Sequence, residues 1–216
     1  MNEKKDTMIK DAIILCVITL VLGAVLAGVY ALTKDTIDGK QIEANNEACA
    51  AVVADGDKVN DADAEAAKKA EDFLKKHDLS NQEVKDEESS LIKHVEISEV
   101  HPTGNGGYVF LATAKKGYGG NIGFALGVDS AGAVTGISIT SQAETAGLGA
   151  NCMDTAWQDS FKGKVLPSNP ADNMYNKNGA TDSQVQALSG ATVTSKGITN
   201  AVKGILFFAD TVRGAE

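Results

Sequence analysis

The chain has 216 residues, 43% of them hydrophobic and 23% charged, with a formal net charge of −9. These figures exclude a wholly disordered chain, a coiled coil and a multi-span membrane protein, and the negative charge argues against nucleic-acid partners, which need a basic footprint. Three cysteines are too few for a disulfide-stapled scaffold.

Apolarity and charge are segregated along the chain. Ala12–Leu32 is a charge-free run of 21 residues. At about 1.5 Å per residue it matches a hydrocarbon core of about 30 Å. A cleaved signal peptide has a shorter apolar core of about 7–15 residues, although Ala27 and Gly28 leave a small-residue cleavage site open. A lipoprotein anchor needs a cysteine just after the run, and Cys16 stands near its start. A single transmembrane helix over 12–32 is the better account. Lys4, Lys5 and Lys10 outnumber Lys34 and Lys40 across it, which places residues 1–11 in the cytoplasm and the rest outside.

Residues 33–90 form an acidic leader. Between Asp35 and Ser90 stand 16 acids and 7 lysines, the whole net charge of the chain. Ile42, Cys49, Val52 and Val53 recur at helical spacing until Asp55-Gly56-Asp57 ends the pattern. Ala62, Ala66, Ala70, Phe73 and Leu74 mark one face of a second helix. Counted as a calcium loop from Asp55, the sixth position is Asn60 rather than Gly and the twelfth is Ala66, so an EF-hand is excluded.

Strand signals begin at Leu91 and open a domain over 91–216. Val95 and Ile97 alternate with polar neighbours, and Tyr108–Leu111 is a short β-rich run. Ile122, Phe124, Leu126 and Val128 lead through the turn Asp129-Ser130-Ala131-Gly132 to Val134, Ile137 and Ile139, a hairpin. Gly163–Thr181 reads as a long surface loop. A last helix starts near Thr194 and carries Ile198, Val202, Ile205 and Phe208 on one stripe. Strands flanked by helices give an α+β domain with an antiparallel sheet, behind a single N-terminal transmembrane helix.

Common enzyme constellations are missing. No Gly-Lys-Ser/Thr tripeptide occurs, and Gly147-Leu148-Gly149 is followed by Cys152 where a dinucleotide fingerprint needs Gly. His77, His94 and His101 are scattered without metal-ligand spacing, and a Cys49–Cys152 pair stays open for a domain outside the cytoplasm. Two segments stand out. In Ser189-Gly190-Ala191-Thr192-Val193-Thr194-Ser195, small residues precede a helix N-terminus, which attracts phosphate. A hydroxyl there can hydrogen-bond a phosphate or be esterified by one; the plainer account makes Thr194 or Ser195 an ordinary N-cap. In Glu144-Thr145-Ala146-Gly147-Leu148-Gly149, a Gly-x-Gly turn with an acid and a hydroxyl suits a flat polar ligand, or simply joins a strand to a helix.

At these two segments the chain resembles the FMN-binding domain family, through Ser189-Gly190-Ala191-Thr192, the upstream Glu-Thr-x-Gly-Leu-Gly and the Gly117-Tyr118-Gly119-Gly120 turn. With its apolar helix and length it is similar to the G subunits of Rnf complexes, which are ion-translocating ferredoxin:NAD+ oxidoreductases. The C subunit of the sodium-pumping NADH:quinone reductase shares the layout. The resemblance implies FMN joined through its phosphate to Thr192 by a separate flavin transferase. It places Ser189, Gly190, Ala191, Val193 and Thr194 at the phosphate end, and Glu144, Thr145, Gly147, Leu148 and Gly149 near the ring. Tyr118 and Asn121 are further candidates, and no metal is implied. The implied role is a redox subunit in the cytoplasmic membrane, not catalytic alone, that works with the other membrane and redox subunits of the complex. Ion translocation belongs to those partners, since 12–32 holds no charge. Gln186 stands where the family often has Asp, and Ala146 where it has Pro. A reversible, non-redox binding domain and a cofactor-free assembly subunit are the alternatives from other classes.

Overall fold

The computed structural model of the chain describes residues 3–54, 56–76, 95–168 and 172–213. Asp55, His77, His94, the end of the acidic leader and the strand signals at Leu91 lie outside them.

Helix α1 (Glu3–Ala51) contains the charge-free run and continues into the acidic leader. The apolar run and the Ile42–Val52 pattern, read as separate elements in the sequence, are therefore one helix as far as Ala51. Nothing between Thr33 and Gln41 breaks it: that stretch has no proline, and its single glycine, Gly39, costs only about 1 kcal/mol. Every large apolar side chain from Ile13 to Leu32 is at least half exposed. Among the described residues α1 is the helix long and apolar enough to cross a membrane. The chain divides into two compact units between Ala44 and Asn45.

The second unit is α+β. Strands β1 (Val95–Pro102), β2 (Tyr108–Ala114), β3 (Ile122–Val128) and β4 (Val134–Ser141) form an antiparallel sheet in chain order. Register pairs Phe110 with Leu126 and Ala112 with Phe124, so like side chains share a face. That face, with Ile137 and Ile139, packs against Ile198, Val202, Ile205 and Phe208 of the last helix, which spans Thr192–Arg213. Those residues recur every three or four positions, as a helix covering a sheet requires. The opposite face presents Val109, Leu111 and Ala125 to Ala48, Cys49 and Val52 at the end of α1. There the Thr135 hydroxyl donates to the Val52 carbonyl. Because both faces are covered, β3 is buried at six of its seven positions.

Helix α2 (Ala64–Lys76) starts on a side-chain cap: Asp63 Oδ1 accepts the Glu65 and Ala66 N–H groups at 2.8 and 3.1 Å. Its Phe73 ring lies 5.7 and 5.3 Å from the rings of Phe207 and Phe208. The hairpin turn forms where expected, with Asp129 Oδ1 accepting from Ala131 and Ala133 N–H. Beyond β4 come a 3-10 turn (Gly149–Met153) and the short α3 (Thr155–Asp159). Trp157 of α3 meets Phe161 edge to face at 4.9 Å.

Gly163–Thr181 is not the free surface loop its composition suggested. Its start is hydrogen-bonded to Val134 of β4 through Gly163 and Lys164. Met174 is fully buried in the main core. Next to it β5 (Tyr175–Asn176) pairs in parallel with β6 (Val185–Gln186). One buried methionine, in a stretch otherwise rich in polar residues, Gly and Pro, ties the connection down.

Cys49 and Cys152 do not pair; both are free. Cys49 packs with Val109 and Leu111, whereas Cys152 lies in the cluster with Phe110 and Ala112. Neighbouring residues of β2 point to opposite faces, so the sheet separates the two sulfurs. Burial pushes each thiol up to about 11, helped by the charge of Glu99 at Cys49 and of Glu144 at Cys152.

Candidate functional site

Three segments converge on one cavity. The β2–β3 connection carries Tyr118, the segment after β4 carries Glu144, and the last helix, α4 (Thr192–Arg213), supplies its first turn. Together they line a cavity of about 430 Å³, within the range of about 300–1,000 Å³ typical of small-molecule sites. Its walls are Tyr118, Glu144, Thr145, Leu148 and Gly149 on one side and Gly190–Thr194 on the other.

Local sequence explains the approach to α4. Gly190 has φ +71°, and a Cβ there would stand 2.9 Å from Leu148 Cδ2, so only glycine carries the chain round this corner. The Ala191 N–H donates to Leu188 O at 3.0 Å. Ser195 closes the turn: its Oγ accepts from Leu188 N–H at 2.9 Å and donates to Ala191 O at 3.0 Å. The helix therefore begins two residues before Thr194, and the expectation that Thr194 or Ser195 is its N-cap is overturned. The N-cap position falls on Ala191, which has no side-chain oxygen to offer. Among the described residues, no intrachain acceptor meets the N–H groups of Thr192, Val193 and Thr194.

The hydroxyls divide sharply. Ser195 is buried and bonded to backbone on both sides of the turn. Thr194, also buried, donates to Glu144 Oε2 at 2.5 Å. Ser189 is exposed and outside the cavity wall. Thr192 is half-buried, lines the cavity and, among the described residues, has no intrachain partner for its hydroxyl.

Glu144 is the buried acid of the site. Besides the Thr194 bond, its Oε1 accepts from Gly119 N–H at 2.8 Å, and its own N–H donates to Gln142 Oε1 at 2.6 Å. Gly149 makes room for it, because a Cβ there would overlap the Glu144 carboxylate and lie 2.6 Å from Thr194 Oγ1. Above this polar floor, Tyr118, Leu148 and Val193 are 75%, 43% and 52% exposed. A flat ring with one polar edge and a phosphate tail matches this combination of apolar rim, buried hydrogen-bonding floor and open helix N-terminus.

Not every candidate from the sequence reaches the cavity. Gly147 lies outside the wall, and its φ of +75° with nothing near its Cβ position marks a backbone requirement, not a close approach. Asn121 is exposed and also outside the wall. One residue was missed. A Cβ on Gly197, inside α4, would overlap the Lys116 carbonyl. A glycine in the first turns of a helix costs about 1 kcal/mol against alanine, and that cost is the signal that another backbone passes there.

Comparison with known proteins bears directly on this arrangement. A model of the FMN-binding domain matches residues 117–206, a span that contains every residue of the cavity wall. A model of the RnfG N-terminal region matches residues 1–52. The G subunit of the proton-translocating ferredoxin:NAD+ oxidoreductase complex of Clostridium ljungdahlii is 30% identical over 194 residues, 90% of this chain and 85% of that protein. The chain belongs to the RnfG family. Another member, from the Na+-translocating ferredoxin:NAD+ oxidoreductase complex of Acetobacterium woodii, is 30% identical over 89% of this chain and 87% of its own length. The crystal structure of Shewanella oneidensis NqrC aligns with a TM-score of 0.44 and 22% identity, covering 55% of this chain and 62% of that one. This RnfG-family chain therefore carries an FMN-binding domain, and its residues fit that group: uncapped N–H groups for a phosphate, and exposed apolar side chains for a ring.

Proposed function

We propose that the chain is the membrane-anchored electron carrier of an ion-translocating ferredoxin:NAD+ oxidoreductase complex, with FMN held covalently on Thr192. One observation carries the attachment: of the four hydroxyls around the α4 N-terminus, Thr192 alone both faces the cavity and lacks an intrachain partner among the described residues. A phosphoester there forms a bond from Thr192 Oγ to phosphorus. The bond from that phosphorus to the leaving group of an activated flavin nucleotide breaks; the leaving group departs with the bonding electron pair and takes up the hydroxyl proton. A flavin transferase supplies that nucleotide.

Bound FMN supplies one- and two-electron redox chemistry. The chain supplies position. The N–H groups of Thr192, Val193 and Thr194 would receive the phosphate oxygens, and the α4 dipole favours their negative charge. Gly190 and Ala191 keep side chains out of the way. Tyr118, Thr145 and Leu148 would line the ring, and Ser189 and Gln186 would lie on the outer surface that the transferase meets. The acidic leader and residues 12–32 join the domain to the membrane and to the other subunits.

We also propose that the FMN-binding domain lies outside the cytoplasm, on the count of lysines flanking residues 12–32. Protease added to intact spheroplasts then digests the domain; full protection reverses the orientation. For the attachment, the test is Thr192→Val with the transferase co-expressed. In-gel flavin fluorescence after denaturation should vanish in Thr192→Val and persist partly in Thr192→Ser. A fluorescent Thr192→Val band moves the bond to another residue.

A further inference from the structure

The resemblance puts Glu144 near the ring, yet both of its carboxylate oxygens are already engaged within the protein. Oε1 takes the Gly119 N–H and Oε2 takes the Thr194 hydroxyl, and the residue is only 9% exposed. Gly119 adjoins Tyr118 in one cavity wall, and Thr194 belongs to the first turn of α4 in the other. Among the described residues no hydrogen bond runs directly from the Tyr118 turn to the first turn of α4; the Glu144 carboxylate bridges them, beside the close packing of Gly197 on the Lys116 carbonyl. The surrounding backbone is shaped to admit it. A Cβ at Gly117 would stand 2.5 Å from Glu144 Oε1, and one at Gly149 would overlap Oε2.

We infer that Glu144 is a positioning residue, a strut that fixes the separation of the Tyr118 turn and the Thr192 turn. It acts on bound flavin through those walls and not through its own charge at the ring. Two charge-assisted hydrogen bonds in a buried setting are strong enough for this, and each loses most of its value when its partner goes. Glutamine preserves the strut: its amide oxygen accepts from Gly119 N–H, and its NH2 donates to Thr194 Oγ. Alanine removes it.

The inference rests on FMN occupying this cavity, but the strut itself is testable without flavin. The first measurement is amide exchange at Gly119 in full-length protein made without the transferase. Glu144→Ala should lower protection there by about tenfold or more, with Glu144→Gln close to the parent. Thr194→Val should also lower it, and Thr194→Ser restore it, although Thr194 does not touch Gly119. This pair of variants reports the link even if Glu144→Ala does not fold.

The second measurement is the visible circular dichroism of flavin-loaded protein, which Glu144→Ala should change and Glu144→Gln should preserve. Gly119 protection that ignores Glu144→Ala, or ignores Thr194→Val, overturns the strut. A Glu144→Gln spectrum displaced as far as that of Glu144→Ala overturns it in favour of a charge acting on the ring. Parent protein that carries no flavin refutes the reading of the cavity and leaves the exchange result to decide the strut alone.

Discussion

Two helices in the second compact unit begin in opposite ways. Helix α2 is preceded by Asp63, whose carboxylate oxygen takes two of the N–H groups that every helix start leaves over. Helix α4 is preceded by Ala191, whose side chain can take none, and its first turn opens into a cavity. The serine and threonine that follow look like caps, but Ser195 is used to close the preceding turn and Thr194 to bind Glu144. A helix start that is satisfied internally is structure alone. One left open beneath an apolar rim, inside an FMN-binding domain, has the form of a phosphate site.

The contrast can be broken by substitution. The largest expected effect is loss of covalent FMN in Thr192→Val with the fold intact, because the variant removes one hydroxyl that no group among the described residues uses. Next is Thr194→Val, which deletes a hydrogen bond to a buried carboxylate and should cost about 1.5–3 kcal/mol in denaturant unfolding. An ordinary neutral cap would cost about 1 kcal/mol, so the size of the loss separates the two roles. Asp63→Ala should cost about that smaller amount while leaving flavin content unchanged. If flavin loading fell with Asp63→Ala, the two helix starts would not be independent. The smallest effect is Ala191→Ser. It gives α4 the cap it lacks, adding roughly 0.5 kcal/mol to the flavin-free protein, and it should slow flavin attachment by competing for the same N–H groups.

The two buried thiols sharpen the picture of a closed domain. Their pKa is raised from 9.0 to about 11 in the fold. The folded state therefore holds their protons more tightly than the unfolded chain. Their contribution to stability is complete below pH 9 and falls as pH rises from 9 through about 11. Unfolding midpoints measured across that window should drop, and Cys152→Ala should reduce the drop.

Much of this was legible in the sequence, for identifiable reasons. Three of the four strands are legible by alternation, as in Ile122, Phe124 and Leu126 with small residues between them, and the fourth, at Tyr108–Leu111, as a short β-rich run. The Asp129–Gly132 turn was legible because its bonds are local. The unread features depend on distant partners. Thr194 looks like a cap until Glu144, fifty residues away, claims its hydroxyl. Met174 looks like part of a loop until the core receives it, and Gly197 looks like a weak helix residue until the Lys116 carbonyl lies against it. The continuity of α1 is hidden for another reason: the change from apolar to acidic composition after Leu32 is not a change of backbone structure. In the site, the residue types were legible but not their division of labour, which is set by the hydroxyls' partners.

The central claim is that Thr192 is the covalent anchor, and intact mass of the protein from native membranes tests it most directly. The account predicts a mass greater than that of the bare chain by one FMN less water, with fragmentation placing the addition on Thr192. An unmodified mass, or an addition placed on Ser189, Thr194 or Ser195, would contradict it.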